Sequence, residues 1–122
     1  MKFFKCNRCG QVLISLNDKS DTITCCGELV RVLKAGEVDG AVEKHVPMYT
    51  LENNKLNVQI GEVIHPMDMD HYIEFIVYEY SNGYDIVNLK PGDEPKAIFE
   101  YKGKGAIYEY CNKHGLWKKE VE

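Results

Sequence analysis

The sequence predicts a mainly β protein, in which a small metal-stapled N-terminal domain is followed by an antiparallel β-sandwich. Eight Tyr and four Phe, with few long runs of Ala, Leu, Glu and Lys, favour strands over helices. Six or seven short strands between turn-forming residues are typical of a β-sandwich. Four of the five cysteines lie within the first 26 residues, a segment too short to bury a core of its own. We therefore expect a metal to hold this first part together.

Residues 1–35 form the predicted N-terminal domain. Its short strands are expected at residues 3–5, 12–14, 22–24 and 29–33. Polar residues at 17–21 predict a turn between the second and third strands. Gly10, directly after Cys9, suits a backbone that turns its amides toward sulfur.

The four cysteines of this domain have the spacing of a metal site. They are Cys6, Cys9, Cys25 and Cys26. Four thiolates within 21 residues suit a tetrahedral centre, and both iron and zinc accept four sulfur ligands. The alternatives are four free thiols or two disulfides, and an odd cysteine count and a reducing compartment disfavour the disulfides.

A linker at residues 36–40 separates this domain from the predicted β-sandwich of residues 41–122. Strands of the sandwich are expected at residues 49–52, 56–60, 72–80, 84–89, 97–101 and 106–111. Alternation within the third of these strands places Ile73, Phe75 and Val77 on one face. The run 106–111 is the last strand that the pattern predicts, and no helix is expected.

Two asparagine-containing pairs predict hairpins in the sandwich. Asn53-Asn54 lies between the first two strands. Asn82-Gly83, the stronger signal, lies between the third and fourth. The sheets are therefore expected to be antiparallel.

The remaining cysteine and all four histidines fall in the second domain. They are His45, His65, His71, Cys111 and His114. A lone histidine is more often a surface or core residue than a ligand, so the prediction depends on the complete set. Four neutral imidazoles and one thiolate would leave one octahedral position open, which makes a site for chemistry. Mixed nitrogen and sulfur donors suit iron better than calcium or magnesium.

Two charged residues precede the first of these histidines. Lys44 would place a positive charge at the mouth of the site, where it attracts a small anion and stabilises negative charge. The alternative is that Glu43 and Lys44 form a solvated charge pair. The short Cys111-x2-His114 spacing favours a different ring nitrogen for His114 than for the other histidines.

Charge and hydropathy argue against several classes of partner. The net charge is −4 and no basic patch is evident, so nucleic acid is not an expected partner. No run of about 18 apolar residues predicts a membrane span, and the N-terminus lacks the apolar segment of a signal peptide. The expected location is the cytoplasm, where thiols stay reduced.

Taken together, these motifs resemble the desulfoferrodoxin family, the two-iron superoxide reductases of anaerobes. The resemblance covers nearly the whole chain. The two cysteine pairs, each followed by glycine, resemble the desulforedoxin-type iron module. The motifs that resemble the catalytic domain are 43–47, 65–67, 71–74, 89–95 and 111–117.

The resemblance implies one iron in each domain and an immunoglobulin-like topology for the sandwich. Cys6, Cys9, Cys25 and Cys26 would hold the first iron (centre I). His45, His65, His71 and His114 would surround the second (centre II), with Cys111 axial. Glu43 would be the sixth ligand of centre II when it is oxidised. Lys44 would guide superoxide in and help to deliver a proton.

The resemblance also implies an activity. The protein would be a superoxide reductase, a homodimeric enzyme of oxidative-stress detoxification that reduces superoxide to hydrogen peroxide at a non-haem ferrous centre. An electron donor such as rubredoxin would restore the ferrous state. A strong thiolate donor beside an open, anion-accepting site favours giving an electron to superoxide. The alternative is a rubredoxin-like electron carrier or a structural metal-binding protein, in which the four histidines would be scattered.

Overall fold

The computed structural model describes residues 1–122 and divides into two compact units, Met1–Lys34 and Ala35–Glu122. Strands dominate the chain, which confirms the predicted mainly β class. The single helix, α1 (Val42–His45), was not predicted from the sequence. It has four residues and is too short to cross a membrane.

The first unit is built from five short strands. They are β1 (Lys2–Lys5), β2 (Val12–Ser15), β3 (Thr24–Cys25), β4 (Glu28–Leu29) and β5 (Arg31–Leu33). Strand β1 lies between β2 and β5 in an antiparallel sheet, and β3 pairs with β4 as a separate ribbon. The run 29–33, predicted as one strand, is interrupted at Val30. That side chain turns into a small core with Phe4 and Cys6.

The second unit contains seven strands. They are β6 (Pro47–Glu52), β7 (Lys55–Ile60), β8 (Ile73–Tyr80), β9 (Gly83–Asn88), β10 (Lys96–Glu100), β11 (Gly105–Cys111) and β12 (Gly115–Val121). One sheet has the order β10-β7-β6 and the other β12-β11-β8-β9, and every pair is antiparallel. Three strands facing four make the immunoglobulin-like sandwich that the family resemblance implied.

The core of this unit lies between the two sheets and draws on both. Its buried residues are Leu56, Val58, Ile60, Ile73, Ile76, Tyr78, Ala97, Phe99, Ile107, Cys111 and Val121. Cys111 is therefore both the last residue of β11 and a member of the core. The rigid sandwich thus positions the thiol.

The two predicted hairpins form, with different turns. Asn53 and Asn54 have φ of 50° and 62°, as a type I′ turn between β6 and β7 requires. Tyr80 pairs with Gly83, so the β8–β9 turn lies one position earlier than the predicted Asn82-Gly83. The absence of a side chain at Gly83 matters for another reason, because a Cβ there would lie 3.1 Å from the Tyr80 ring.

Strand β8 departs from simple alternation. Tyr110 of β11 pairs with Phe75, but Cys111 pairs with Ile73, so Glu74 lies in a β-bulge between these two pairs. Ile73 consequently enters the core between the sheets, whereas Phe75 stacks on Tyr110 with ring centroids 5.8 Å apart. The prediction that Ile73 and Phe75 share a face is therefore wrong.

The chain also has one strand more than the pattern predicted. Strand β12 follows Cys111 through a tight turn and pairs along the whole of β11, from Gly105–Val121 to Cys111–Gly115. The run 106–111 is thus the penultimate strand. Because β12 follows directly, the turn between the two strands holds the predicted Cys111-x2-His114 motif in place.

Candidate metal centres

The first unit brings its four cysteines to one point. The sulfur atoms of Cys6, Cys9, Cys25 and Cys26 all lie within 4.8 Å of one another. The Sγ atom of Cys25 is 3.7 Å from that of Cys9 and 4.0 Å from that of Cys26. All are free thiols, so the disulfide alternative does not describe this structure. The unit therefore contains a four-cysteine site.

The pKa values of the thiols in the four-cysteine cluster favour binding of a cation. The backbone N–H of Cys9 donates to Sγ of Cys6 at 3.4 Å and lowers the pKa of Cys6 to about 7. Sulfur–sulfur contacts, chiefly with Cys9, raise the pKa of Cys25 to about 12 and also raise that of Cys26. The close contacts between sulfur atoms therefore disfavour several thiolates together unless a positive ion is present, and a bound metal would supply that charge.

The backbone around this cluster is bent into unusual conformations. Gly10 and Gly27 have φ of 81° and 76°, in the left-handed region that favours glycine. Cys26 has φ of 53°, which residues other than Gly, Asn and Asp rarely adopt unless the surroundings enforce it. Such strain at a candidate ligand is typical of a functional site. The adjacent Cys25-Cys26 pair reaches one point because of it.

In the second unit the four histidines form a closed square. Ring centroids of neighbours are 4.7 Å apart for His45–His65, 4.8 Å for His65–His71, 5.0 Å for His71–His114 and 4.7 Å for His114–His45. The diagonal pair His45–His71 is 6.4 Å apart. Neighbouring rings meet nearly edge to face. The histidines are thus gathered and not scattered.

Cys111 completes the set. The ligand atoms of His45, His71, Cys111 and His114 lie within 4.8 Å of one another, with Cys111 Sγ 3.9 Å from His114 Nδ1. His65 falls outside that mutual limit, but its Nε2 lies 3.1 Å from Nε2 of His45. The second unit therefore contains a site of four imidazoles and one thiol.

Hydrogen bonds fix which ring nitrogens face inward. Nδ1 of His45 donates to the Ala41 carbonyl at 2.7 Å, and Nδ1 of His65 donates to the Pro66 carbonyl at 2.6 Å. Their Nε2 atoms then carry lone pairs, and these face each other at 3.1 Å. His114 instead turns Nδ1 inward, 3.0 Å from Nε2 of His45. His114 therefore presents a different nitrogen from His45 and His65.

These distances match a metal site. Two metal–nitrogen bonds of about 2.1 Å at a right angle place their nitrogens about 3.0 Å apart. The two observed separations, 3.1 and 3.0 Å, are close to this value. Two neutral imidazoles whose protons are engaged elsewhere cannot hydrogen-bond to each other, so a cation between them resolves the contact. His71 Nε2 is also buried without a hydrogen-bond partner. The donor set fits a bound metal ion.

Protonation at this site also favours metal binding. Burial lowers the pKa of His45 and of His71, and it lowers the pKa of His65 to about 4. Burial raises the pKa of the Cys111 thiol, while backbone N–H groups of Lys113 and His114 act in the opposite sense. These three imidazoles are therefore neutral at pH 7, as metal binding requires, and metal binding must displace one proton from sulfur.

Backbone hydrogen bonds connect helix α1 and the residue after it to the loop after β7, where Gly61 lies. The Val63 N–H donates to the Glu43 carbonyl at 2.9 Å, and the Gly61 N–H donates to the Val46 carbonyl at 3.2 Å. Gly61 has φ of 86°, and a Cβ there would lie 2.6 Å from the Lys44 carbonyl oxygen. This close approach of two backbones brings His45 and His65 together.

Glu43 and Lys44 lie on α1, and both are exposed. Their backbones help to hold the loop after β7 in place, but neither side chain contributes an atom to the cluster of candidate ligands. The Glu43 carboxylate acts to raise the His45 pKa, but burial outweighs it and lowers that pKa. Their predicted roles, as sixth ligand and as guide for superoxide, stay predictions.

Sequence reasoning gave no role to two buried residues beside the site, although Trp117 lay within the motif 111–117. The indole of Trp117 stacks on His45 with centroids 5.1 Å apart, and its Nε1 donates to the His114 carbonyl at 2.9 Å. Glu109, opposite Trp117 across strands β11 and β12, is fully buried with both carboxylate oxygens unpartnered. Trp117 is three residues after His114, which was the available signal. Nothing in the pattern distinguished Glu109 from an exposed strand residue.

Comparisons with known proteins agree with this architecture. The family model described as desulfoferrodoxin matches residues 37–120. A desulfoferrodoxin from Nitratidesulfovibrio vulgaris is 41% identical over 121 residues, which cover 98% of this chain and 96% of that protein. A desulfoferrodoxin homolog from Archaeoglobus fulgidus is 38% identical over 97% of this chain and 95% of its own.

Solved structures extend the likeness to the whole fold. The crystal structure of the superoxide reductase from Treponema pallidum has a TM-score of 0.79 at 28% identity and covers 97% of each chain. The superoxide reductase (1Fe-SOR) from Giardia intestinalis has a TM-score of 0.55 at 32% identity, covering 66% of this chain and 98% of that one. With one four-cysteine site, one site of four histidines and a cysteine, and this set of relatives, the chain belongs to the desulfoferrodoxin family.

Proposed function

We propose that the protein is a superoxide reductase, an oxidoreductase that converts superoxide, one electron and two protons into hydrogen peroxide. The observation that carries this proposal is the square of four imidazoles beside the Cys111 thiol, whose inward lone pairs need a cation. Two structural relatives bear the name superoxide reductase. Imidazole and thiolate donors together suit iron, and the four-cysteine site suits a second one.

The ligand set proposed for centre II is His45, His65, His71, Cys111 and His114. Ferrous iron bound there supplies the single electron that superoxide takes up. The chain's own part is to hold each donor in its orientation. The carbonyl oxygens of Ala41 and Pro66 accept the Nδ1 protons and so aim Nε2 inward.

Lys44 and Glu43 are proposed to act at the open side of this centre. The exposed ammonium of Lys44 attracts superoxide and assists proton delivery, because it lies next to a ligand and carries a full charge. Glu43 is proposed as the sixth ligand of the oxidised form, since it offers an exposed carboxylate on the same helical turn. Both roles rest on the family resemblance and on position in α1.

The N-terminal unit is proposed as an iron-binding domain with Cys6, Cys9, Cys25 and Cys26 as ligands (centre I). Cys9 and Cys26 are exposed, which gives the cluster an edge at which electrons can be exchanged. A donor such as rubredoxin is proposed to restore the ferrous state, and the protein is proposed to act as a homodimer. Sedimentation of the loaded protein tests the dimer.

The test of function combines metal analysis with a superoxide pulse. Two irons per chain, and one peroxide per superoxide without oxygen release, are expected from the reduced protein. Oxygen release would indicate dismutation. The absence of any reaction would support the alternative, an electron carrier or a structural metal-binding protein. Cys111→Ser should remove only the thiolate-to-iron colour of centre II, whereas Cys9→Ser should alter only that of centre I.

The role of Lys44 has its own test with a matched control. Lys44→Ala should slow superoxide capture and flatten its dependence on ionic strength without changing iron content. Lys104→Ala makes the same charge change beside Gly105, at the opposite end of β11 from Cys111, and should leave capture unchanged. Equal effects of the two variants would contradict steering by Lys44.

A further inference from the structure

The side chain of Asn112 contacts both neighbours of a proposed ligand. Its Oδ1 accepts a hydrogen bond from the Tyr72 N–H at 2.9 Å, and its Nδ2 donates to the Asp70 carbonyl at 3.1 Å. Asp70 and Tyr72 are the residues directly before and after His71. One carboxamide therefore holds the backbone on both sides of that histidine.

The backbone of Asn112 adds a third bond to the same segment. Its N–H donates to the Tyr72 carbonyl at 3.2 Å. This contact follows from the β-bulge, because the register shift that pairs Cys111 with Ile73 brings Asn112 opposite Tyr72. The turn that carries Cys111 and His114 is thus joined to the loop that carries His71.

The other contacts of this loop hold its start and close its tip. The Met67 carbonyl accepts from the Gly92 N–H at 2.9 Å, the Met67 sulfur accepts from the Ile73 N–H at 3.4 Å, and the Met67 side chain packs against the core. Asp68 and His71 exchange backbone hydrogen bonds of 2.9 and 3.2 Å, which close the loop on itself but do not orient it toward the site. Met69 is 84% exposed, so apolar packing contributes little at the tip of the loop, beside His71. The Lys113–Asp70 ion pair, 3.8 Å long and exposed, contributes little as well.

We propose that Asn112 is a positioning residue that sets His71 relative to Cys111 and His114 through the two bonds of its carboxamide. Removing a group that orients a metal ligand without touching the metal commonly lowers metal affinity by about 10–100-fold. Here three of the five proposed ligands lie on the two segments that Asn112 connects. The proposal rests on the metal site proposed above, but its test measures metal binding and not turnover.

The test uses cobalt(II) as the probe, titrated against a chelator into the full chain. The four-cysteine site serves as an internal reference, since its cobalt absorption differs from that of the histidine site. Asn112→Ala removes both side-chain bonds and should weaken cobalt binding at the histidine site by about 10–100-fold, with the four-cysteine site unchanged. Asn112→Asp keeps the acceptor for the Tyr72 N–H, loses the donor to the Asp70 carbonyl, and should give an intermediate loss.

Lys113→Ala is the matched control, because it changes the next residue and removes the other side-chain contact to Asp70. It should bind cobalt within about threefold of the wild type. Imidazole nitrogen shifts of the metal-free protein should change for His71 and stay constant for His45 in Asn112→Ala. Wild-type affinity in Asn112→Ala, an equal loss in Lys113→Ala, or an equal loss at both metal sites would overturn the proposal. A protein that binds cobalt as expected but does not reduce superoxide would contradict only the proposed function.

Discussion

Gly61→Ala should disrupt centre II from a position that no ligand occupies. A Cβ at residue 61 would lie 2.4 Å from the Val63 carbonyl oxygen and 2.6 Å from that of Lys44. Ordinary contact begins near 3.4 Å, so the two carbonyl groups must withdraw by about 0.8–1.0 Å. The Lys44 carbonyl belongs to the peptide bond that enters His45. Displacing it therefore moves His45, the first histidine of the square.

The expected cost has two parts. A left-handed backbone costs an L-residue about 1–2 kcal/mol, and overpacking against backbone costs about 1–3 kcal/mol more. The free energy of unfolding should therefore fall by about 2–5 kcal/mol. Gly92→Ala is the control, since Gly92 has a similar φ of 90° but nothing within 4 Å of a Cβ. Only the first part applies there, about 1–2 kcal/mol.

Urea unfolding of the metal-free variants measures both costs, and metal analysis of the loaded variants locates the effect. Gly61→Ala should lose metal from the histidine site and retain it in the four-cysteine site. Equal stability of Gly61→Ala and Gly92→Ala would refute the argument, because it would mean that the contact with the Lys44 and Val63 carbonyls is absent in solution.

Three further predictions concern buried groups near the site. Glu109→Leu should stabilise the metal-free protein by about 1–3 kcal/mol in urea unfolding, because it removes a buried carboxyl with no partner; a loss of stability would mean that the carboxyl is satisfied. Trp117→Ala should destabilise by about 3–5 kcal/mol and Trp117→Phe by less, since Phe keeps a ring against His45; equal losses would show that stacking is unimportant. The metal-free protein should lose stability as the pH falls from 6.5 toward 4. His65 alone should lower the free energy of unfolding by about 1.4 kcal/mol per pH unit, because its imidazole is protonated at a higher pH in the unfolded chain than in the folded one. A urea midpoint that does not change over this range would contradict the burial of neutral His65.

The sequence predicted which cysteines and histidines cluster better than it predicted the strands around them. Cysteine and histidine are rare in this chain, so their positions alone distinguished the four-cysteine set from the histidine set. Strand β12 was not predicted because the run Lys118-Lys119-Glu120 interrupts the alternation of apolar and polar residues between Trp117 and Val121. Its stability comes from pairing along β11, which is a property of the folded sheet and not of the local pattern.

The residues that support the site could not be predicted from the sequence for a related reason. The bulge at Glu74 depends on the register between β8 and β11, and that register is set by distant residues. The role of Gly61 depends on how closely α1 approaches the loop after β7. Neither relation has a sequence signature. Asn53-Asn54, in contrast, was predictable because a type I′ turn imposes its own residue preference.

The spread of the histidine site along the chain determines when it can be completed during synthesis. Its donors run from His45 to His114, so the growing chain has no complete set until residue 114 has left the ribosome. The four-cysteine set is complete once Cys26 has emerged, and its unit ends at Lys34. The donors of the two sites therefore become available in a fixed order, and the four-cysteine set is complete while most of the second unit is still untranslated.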